Sequence, residues 1–268
     1  MLRVEEHRAR TELRRTFDTV AERYEASRPT YPEALVDELL ELAAVPPGGR
    51  ILEIGPGTGK ASAALAGRGH ALVGVELGRQ LAELARANLA RFPQAQIVVA
   101  DFEQWEPSEP EEPFDAVVAF TAFHWIAPDV RYAKPARLLH EGGALAVVET
   151  KHVLPAGADP FWTEVQADFD AVVPHPDNRP PPAPEEVGDL QEEIEASGLY
   201  RDVEVRRHLW DVEYGADEYI AVLGTYSVNL ALPAAQRDEL FTRIHDRVTA
   251  QGHVTKTYLA TLNVARRA

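Results

Sequence analysis

The stretch from Arg50 to Leu77 constrains the fold most, because it joins an apolar strand, a glycine-studded turn and a second strand ending on a carboxylate. Ile51, Leu52 and Ile54 form the first apolar run, Gly55-Pro56-Gly57-Thr58-Gly59 turns the chain, and Ala61 to Ala66 has good helix propensity. A second run, Ala71 to Val75, stops at Glu76. Glycine permits positive φ and lets a ligand approach the main chain, while a helix N-terminus offers unpaired N–H groups. A carboxylate about twenty residues past the first glycine is placed to accept both hydroxyls of a ribose. The unit is therefore expected to recognise a nucleoside.

The spacing also separates cofactor classes. A dinucleotide fingerprint, G-x-G-x-x-G, needs its third glycine at position 60, which is Lys60 here. That weakens an NAD(P)-dependent oxidoreductase, which stays as an alternative beside a non-catalytic nucleoside-binding regulatory protein. Glu53-Ile54-Gly55-Pro56-Gly57-Thr58-Gly59 resembles motif I of the class I S-adenosylmethionine (SAM) dependent methyltransferases. Later family motifs follow in order at Val73 to Glu76, Val98 to Phe102, Phe114 to Phe120 and Leu138 to Leu145. The resemblance implies SAM as cofactor, S-adenosylhomocysteine as its product, and methyl transfer to a small-molecule acceptor.

Strand-like and helix-like runs alternate from Arg50 to Thr150, the pattern of a parallel sheet covered on both faces. Strands are expected at about 50–54, 71–75, 96–100, 115–120 and 144–149, with two more at Val203 to Asp211 and Lys256 to Ala265. The fold class expected is α/β: a Rossmann-like, seven-stranded, mostly parallel sheet with helices on both faces. By resemblance the last strand inserts antiparallel beside the fifth. Residues 1–45 read as an N-terminal helical lid, 46–150 as the cofactor-binding core, 151–250 as a substrate-shaping cap with a late strand, and 251–268 as the final strand. Helices are expected at Arg14 to Arg28 and Pro32 to Ala44, split by Pro29 and Pro32. Further helices are expected at Pro160 to Val173, Glu185 to Ser197, Asp217 to Leu223 and Ala234 to Ala250, with a proline-rich connector over Pro174 to Pro184.

Composition excludes several chemistries. The chain has no cysteine, so thiol nucleophiles and cysteine metal sites are ruled out. A formal charge of −16 disfavours nucleic acid. The sparse basic clusters at Arg8 to Arg15 and Arg206-Arg207 read as solvated faces. The start lacks a signal-peptide core and no apolar run reaches membrane-spanning length, so a cytoplasmic monomer or homodimer without membrane contact is expected. Zinc-binding histidine spacings and a G-x-S-x-G elbow are absent from the sequence, so no metal is expected.

By resemblance, Gly55, Pro56, Gly57, Thr58 and Gly59 form the cofactor loop, and Glu53 stands near the cofactor amino group or holds that loop. Glu76 takes the ribose hydroxyls. Leu77 packs on adenine or in the core, while Asp101 accepts from the adenine amino group or caps a turn, with Phe102 as an apolar wall. Phe120 to Trp125 resembles the segment lining the transfer crevice in type 11 methyltransferases. There Thr121 and Ala122 contact the cofactor, His124 orients or deprotonates the acceptor or simply packs, and Trp125 forms wall or core. Phe17 to Pro32 resembles the leader helix of the same proteins, with Tyr24 and Arg28 on one helix face. Arg28 is expected to grip the methionine carboxylate, and Tyr24 or Tyr31 to close the site. Tyr226 and His208 are candidate acceptor-pocket residues.

Overall fold

In a computed structural model, which describes residues 21–107, 112–174 and 179–268, the alternating runs condense into one seven-stranded sheet. Its strands are β1 (Arg50–Ile54), β2 (Ala71–Glu76), β3 (Ala95–Val99), β4 (Phe114–Phe120), β5 (Leu139–Val153), β6 (Tyr200–Tyr214) and β7 (Val254–Arg267). Their order is β3-β2-β1-β4-β5-β7-β6. β1 to β5 pair in parallel, and β7 runs antiparallel to both β5 and β6, so β6 regains the direction of β5. The expected α/β class and the reversed strand beside β5 are both present. Strand order reverses between β1 and β4, and in open α/β sheets such a switch point leaves a crevice at the strands' C-terminal ends.

Outside the sheet, α1 (Ala21–Ser27) packs on helices, while one face is covered by α2 (Glu33–Leu42), α3 (Lys60–Gly67) and α4 (Arg79–Asn88). Only this part of the Arg14 to Arg28 helix lies within the described residues. Leu35, Leu39, Ile51 and Leu65 are fully buried in this layer, each removing apolar surface worth about 1.5–3 kcal/mol. The other face buries Leu52, Val117, Leu145 and Ile194 under the Ala133–Leu138 and Gln191–Ala196 helices. A third apolar cluster joins Trp162, Tyr214, Tyr219, Leu240 and Tyr258 beneath the Ala216–Leu223 and Ala234–Gln251 helices.

The late strands are longer than their sequence indicates. β5 continues to Val153 and pairs with β7 through Val153↔Thr257, while β6 pairs with β7 up to Tyr214↔Val254. Glu149-Thr150-Lys151-His152 reads as a polar exit from a strand, yet the antiparallel ladder satisfies its backbone. The expected Pro160 to Val173 helix is two pieces, Phe161–Glu164 and Gln166–Val172. The expected Glu185 to Ser197 helix starts only at Gln191, whose N–H is capped by Asp189 Oδ1 at 3.0 Å, while Val187 packs with Val153 and Leu259 instead of continuing it.

Candidate active site

Two adjoining cavities lie on this sheet, and the first is built by the glycine turn. Gly55, Gly57 and Gly59 have φ of 62°, 59° and 85°. A Cβ on Gly55 would stand 2.9 Å from Ala122 Cβ, so only glycine fits where this turn meets the end of β4. At Gly57 nothing lies within 4 Å of an added Cβ, so the main chain there faces open space. Glu76 ends β2 nearly buried; its Oε2 accepts Gly57 N–H at 2.9 Å and its Oε1 accepts Gly78 N–H at 2.8 Å. A carboxylate oxygen can accept more than one hydrogen bond, so a residue of this type at a strand end suits a pair of hydroxyls.

Glu53 is buried at the end of β1, where Ser62 Oγ donates to its Oε2 at 2.5 Å. Burial raises its carboxyl from 4.5 to about 7; the Ser62 hydrogen bond works against this and the nearby Glu76 charge adds to it. Thr58 Oγ1 is buried without a hydrogen-bond partner. An open glycine turn, a cavity-facing carboxylate and an orphaned hydroxyl fit a polar nucleoside cofactor. The cavity measures about 200 Å³ and is also lined by Leu77, Leu81, Phe102, Phe120 and Trp125.

The N-terminal segment closes this cavity through Lys60. Its Nζ donates to Glu25 O at 2.7 Å and to Arg28 O, and so satisfies carbonyls at the end of α1. Beyond α1, Tyr31 packs on Phe120 with ring centroids 4.8 Å apart and places its hydroxyl 3.3 Å from Thr121 Oγ1. Thr121 carries φ of 54°, a strained backbone for a β-branched residue, held by its N–H to Val148 O at 2.7 Å. Such strain costs on the order of 1–3 kcal/mol and concentrates at functional sites.

The second cavity, about 400 Å³, shares Arg28, Pro29, Tyr31 and Thr121 with the first. Its floor is the extension of the antiparallel strands: His152, Tyr258 and Trp210 are lateral partners across β5, β7 and β6. Trp162, Tyr219 and Tyr226 line it from the cap side. Lys256 Nζ donates to Tyr226 Oη at 2.7 Å and stands 5.1 Å from the ring centroids of Tyr226 and Tyr258 and 5.8 Å from those of Trp162 and Tyr219. Burial lowers the Lys256 ammonium pKa although Tyr226 supports its charge. Burial alone would raise Tyr226, but the Lys256 and Arg28 cations together bring it below its ordinary value. His152 is pushed down to about 2, first by burial and then by Lys256, so its ring is neutral at any ordinary pH.

The predicted residues divide between these spaces. Glu53, Gly55, Pro56, Gly57, Thr58, Glu76, Leu77, Phe102 and Ala122 line the first cavity, and Gly59 caps the start of α3. Tyr31, Arg28 and Thr121 form the shared wall, and Tyr226 lines the second cavity. The side chain of Tyr24 lies outside the described residues. Arg28 turns toward the second cavity: its Nε donates to Thr225 Oγ1 at 2.8 Å, and its guanidinium lies 4.2 Å from the Tyr226 ring centroid.

Four further residues are placed as follows. Asp101 precedes the cavity-lining Phe102, and its Oδ1 accepts Glu103 N–H at 3.1 Å where the chain bends after β3. His124 and Trp125 line the first cavity rather than the second, since the turn after β4 folds back over the glycine loop. His124 Nδ1 stands 3.5 Å from Glu149 Oε2 with its side chain 45% exposed. His208 falls two residues short of Trp210 along β6, where α2 covers the sheet and Glu38 Oε2 meets its Nε2 at 2.7 Å. Glu149, His152, Trp162, Tyr219, Lys256 and Tyr258 went unrecognised in the sequence. The signal available was Lys256-Thr257-Tyr258, a cation and an aromatic at alternate positions in an otherwise apolar strand. Among the described residues no His, Asp and Glu cluster suits a metal, and no helix is long and apolar enough to cross a membrane.

Residues 51–143 match the sequence profile of the methyltransferase domain family. A methyltransferase of Mycobacterium tuberculosis described as uncharacterized is 33% identical over 140 residues, covering 52% of this chain and 54% of that protein. The chain thus spans about half the length of the curated relatives it matches. Among solved structures, one from Anaeromyxobacter dehalogenans, a candidate type II methyltransferase, superposes with a TM-score of 0.61 at 23% identity and covers 89% of this chain and 97% of that one. Phosphoethanolamine N-methyltransferase 2 of Haemonchus contortus, in complex with phosphomonomethylethanolamine and S-adenosylhomocysteine, superposes with a TM-score of 0.52 at 16% identity, covering 93% and 57%.

Proposed function

We propose that the chain is a class I methyltransferase that transfers a methyl group from SAM to a small-molecule acceptor; the profile match over residues 51–143 and the likeness in fold to solved methyltransferases support this reading. The observation that carries this reading is the pair of cavities meeting at Arg28, Pro29, Tyr31 and Thr121, one walled by the glycine loop and Glu76, the other by aromatic side chains. Two reactants brought into contact where the cavities meet gain from proximity and from excluded water.

Glu76 would hold the ribose hydroxyls, the glycine turn would pass beside the methionine portion, and Leu77, Leu81 and Phe102 would enclose the base. Bound SAM supplies a methyl group on a positively charged sulfur that is already a leaving group. The chain's own work is alignment. Tyr31 and Thr121 fix the junction of the two cavities, and Lys60 ties the N-terminal segment down over it. Where the acceptor carries a proton, His124 beside Glu149 is the group within the first cavity suited to remove it; where the acceptor atom is already anionic, no base is needed. We further propose that the protein acts without nucleic-acid or membrane partners.

Calorimetry with SAM, S-adenosylhomocysteine and NAD tests the cofactor, and tight NAD binding without a SAM signal would overturn it. Incubation with methyl-labelled SAM and fractionated metabolite extracts tests turnover. Label remaining wholly on SAM across all fractions, with S-adenosylhomocysteine bound, would point to a binding protein instead.

A further inference from the structure

The second cavity departs from the rest of the molecule in charge. The protein carries a formal charge of −16, yet among the described residues no Asp or Glu lines this cavity, while Arg28, Arg179 and Lys256 do. A field of that sign inside an acidic protein selects anions and rejects cations. The surrounding walls are aromatic, with Tyr31, Trp162, Trp210, Tyr219, Tyr226 and Tyr258 among them. An arrangement of rings about one ammonium would ordinarily recognise a cationic ligand. Here the chain's own Lys256 fills it.

Thr150 Oγ1, His152 Nε2 and Trp210 Nε1 in the same walls are buried and lack a hydrogen-bond partner within the protein. Native proteins leave few such groups unpaired, and three gathered in the walls of one cavity mark it as a place kept for function rather than for packing. At about 400 Å³ the cavity falls within the roughly 300–1,000 Å³ range of small-molecule sites.

Resting on the methyltransferase reading above, we infer that the acceptor is a planar aromatic or conjugated carboxylate whose anionic end is held by Lys256 and whose methyl-accepting atom lies at its far end, toward Thr121 and Tyr31. The distance along the sheet sets this polarity. Thr150 pairs with Ala260 on β7, just past the rung where Thr121 bonds Val148, and Lys256 lies four residues further along that strand, about 13 Å at ~3.3 Å per residue. Lys256 lines the second cavity alone, whereas Thr121 and Tyr31 line both. The carboxylate is the anchor and not the methylated group.

A charge series on one skeleton tests this by calorimetry in the presence of saturating S-adenosylhomocysteine: trans-cinnamate, cinnamamide and cinnamylamine. Cinnamate should bind at least tenfold more tightly than the amide, and the amine should not bind. Lys256→Met, close in volume, should abolish the preference for cinnamate while retaining S-adenosylhomocysteine binding. Equal binding of amide and carboxylate to the wild-type protein, or tighter binding of the amine, would overturn the inference whether or not the variant folds. S-adenosylhomocysteine binding with no carboxylate preference sinks the acceptor class and leaves the methyltransferase reading standing. Failure of S-adenosylhomocysteine to bind removes that reading, and the charge series run without it still decides the chemistry of the cavity.

Discussion

Glu53 offers a stability measurement whose size follows from its surroundings. The folded protein raises this carboxyl from 4.5 to about 7, chiefly by burial. At ~1.4 kcal/mol per tenfold change in proton affinity, that difference corresponds to about 3 kcal/mol. The folded state holds the proton more tightly than the unfolded chain, so this stabilisation is complete below about pH 4.5 and is lost as pH rises through about 7. Roughly a quarter is lost by pH 5, which leaves about 2–3 kcal/mol between pH 5 and pH 8. The perturbation is Glu53→Gln, which keeps the shape and an acceptor for Ser62 but never ionises. Urea unfolding of both proteins at pH 5, 6, 7 and 8 gives stability differences in which other titrating groups cancel. The wild-type protein should lose about 2–3 kcal/mol relative to Glu53→Gln across that range. Curves that stay parallel within about 0.5 kcal/mol would refute a buried, proton-holding carboxyl. Glu76→Gln should flatten the wild-type curve in part, because the Glu76 charge contributes to the rise.

The other predictions concern ligand binding and turnover. Glu76→Ala should weaken S-adenosylhomocysteine binding by about 1.5–3 kcal/mol in calorimetry and also lower the melting temperature, since Glu76 holds Gly57 and Gly78; unchanged affinity would remove its ribose role. His124→Gln should slow single-turnover methyl transfer about 10²- to 10⁴-fold while sparing cofactor affinity if the histidine acts as base. A wild-type rate at saturating acceptor would leave His124 as wall alone. Lys60→Met should speed amide exchange across residues 21–28 and reduce the slowing produced by S-adenosylhomocysteine; unaltered exchange would deny Lys60 its tether.

Much of the sheet was legible in advance because parallel strands buried on both faces leave short apolar runs with sharp ends, as at Arg50–Ile54 and Ala71–Glu76. The first cavity was legible for a related reason: glycine at positive φ and a carboxylate at a strand end are local requirements written in consecutive residues. The second cavity depends on lateral partners 48 and 106 positions apart, so His152, Trp210 and Tyr258 carry no mutual signal along the chain. Polar residues at 149–152 also imitate a strand exit, which hid the extension that bears them. Asp101 shows the converse limit, since a motif position fixes a residue near the crevice while a local turn decides where its oxygens go.

The lysine at position 60 bears on how such folds exchange one cofactor for another. In a dinucleotide unit the glycine at this point serves close packing of helix against strand, and nothing reaches outward from it. In this chain the same position sends an ammonium to the end of α1. Placing glycine there would remove that ammonium and release the segment that carries Arg28, Pro29 and Tyr31 into both cavities. The residue that breaks the dinucleotide spacing is thus the same one that ties down the segment between the two cavities, so a change in the first carries a change in the second.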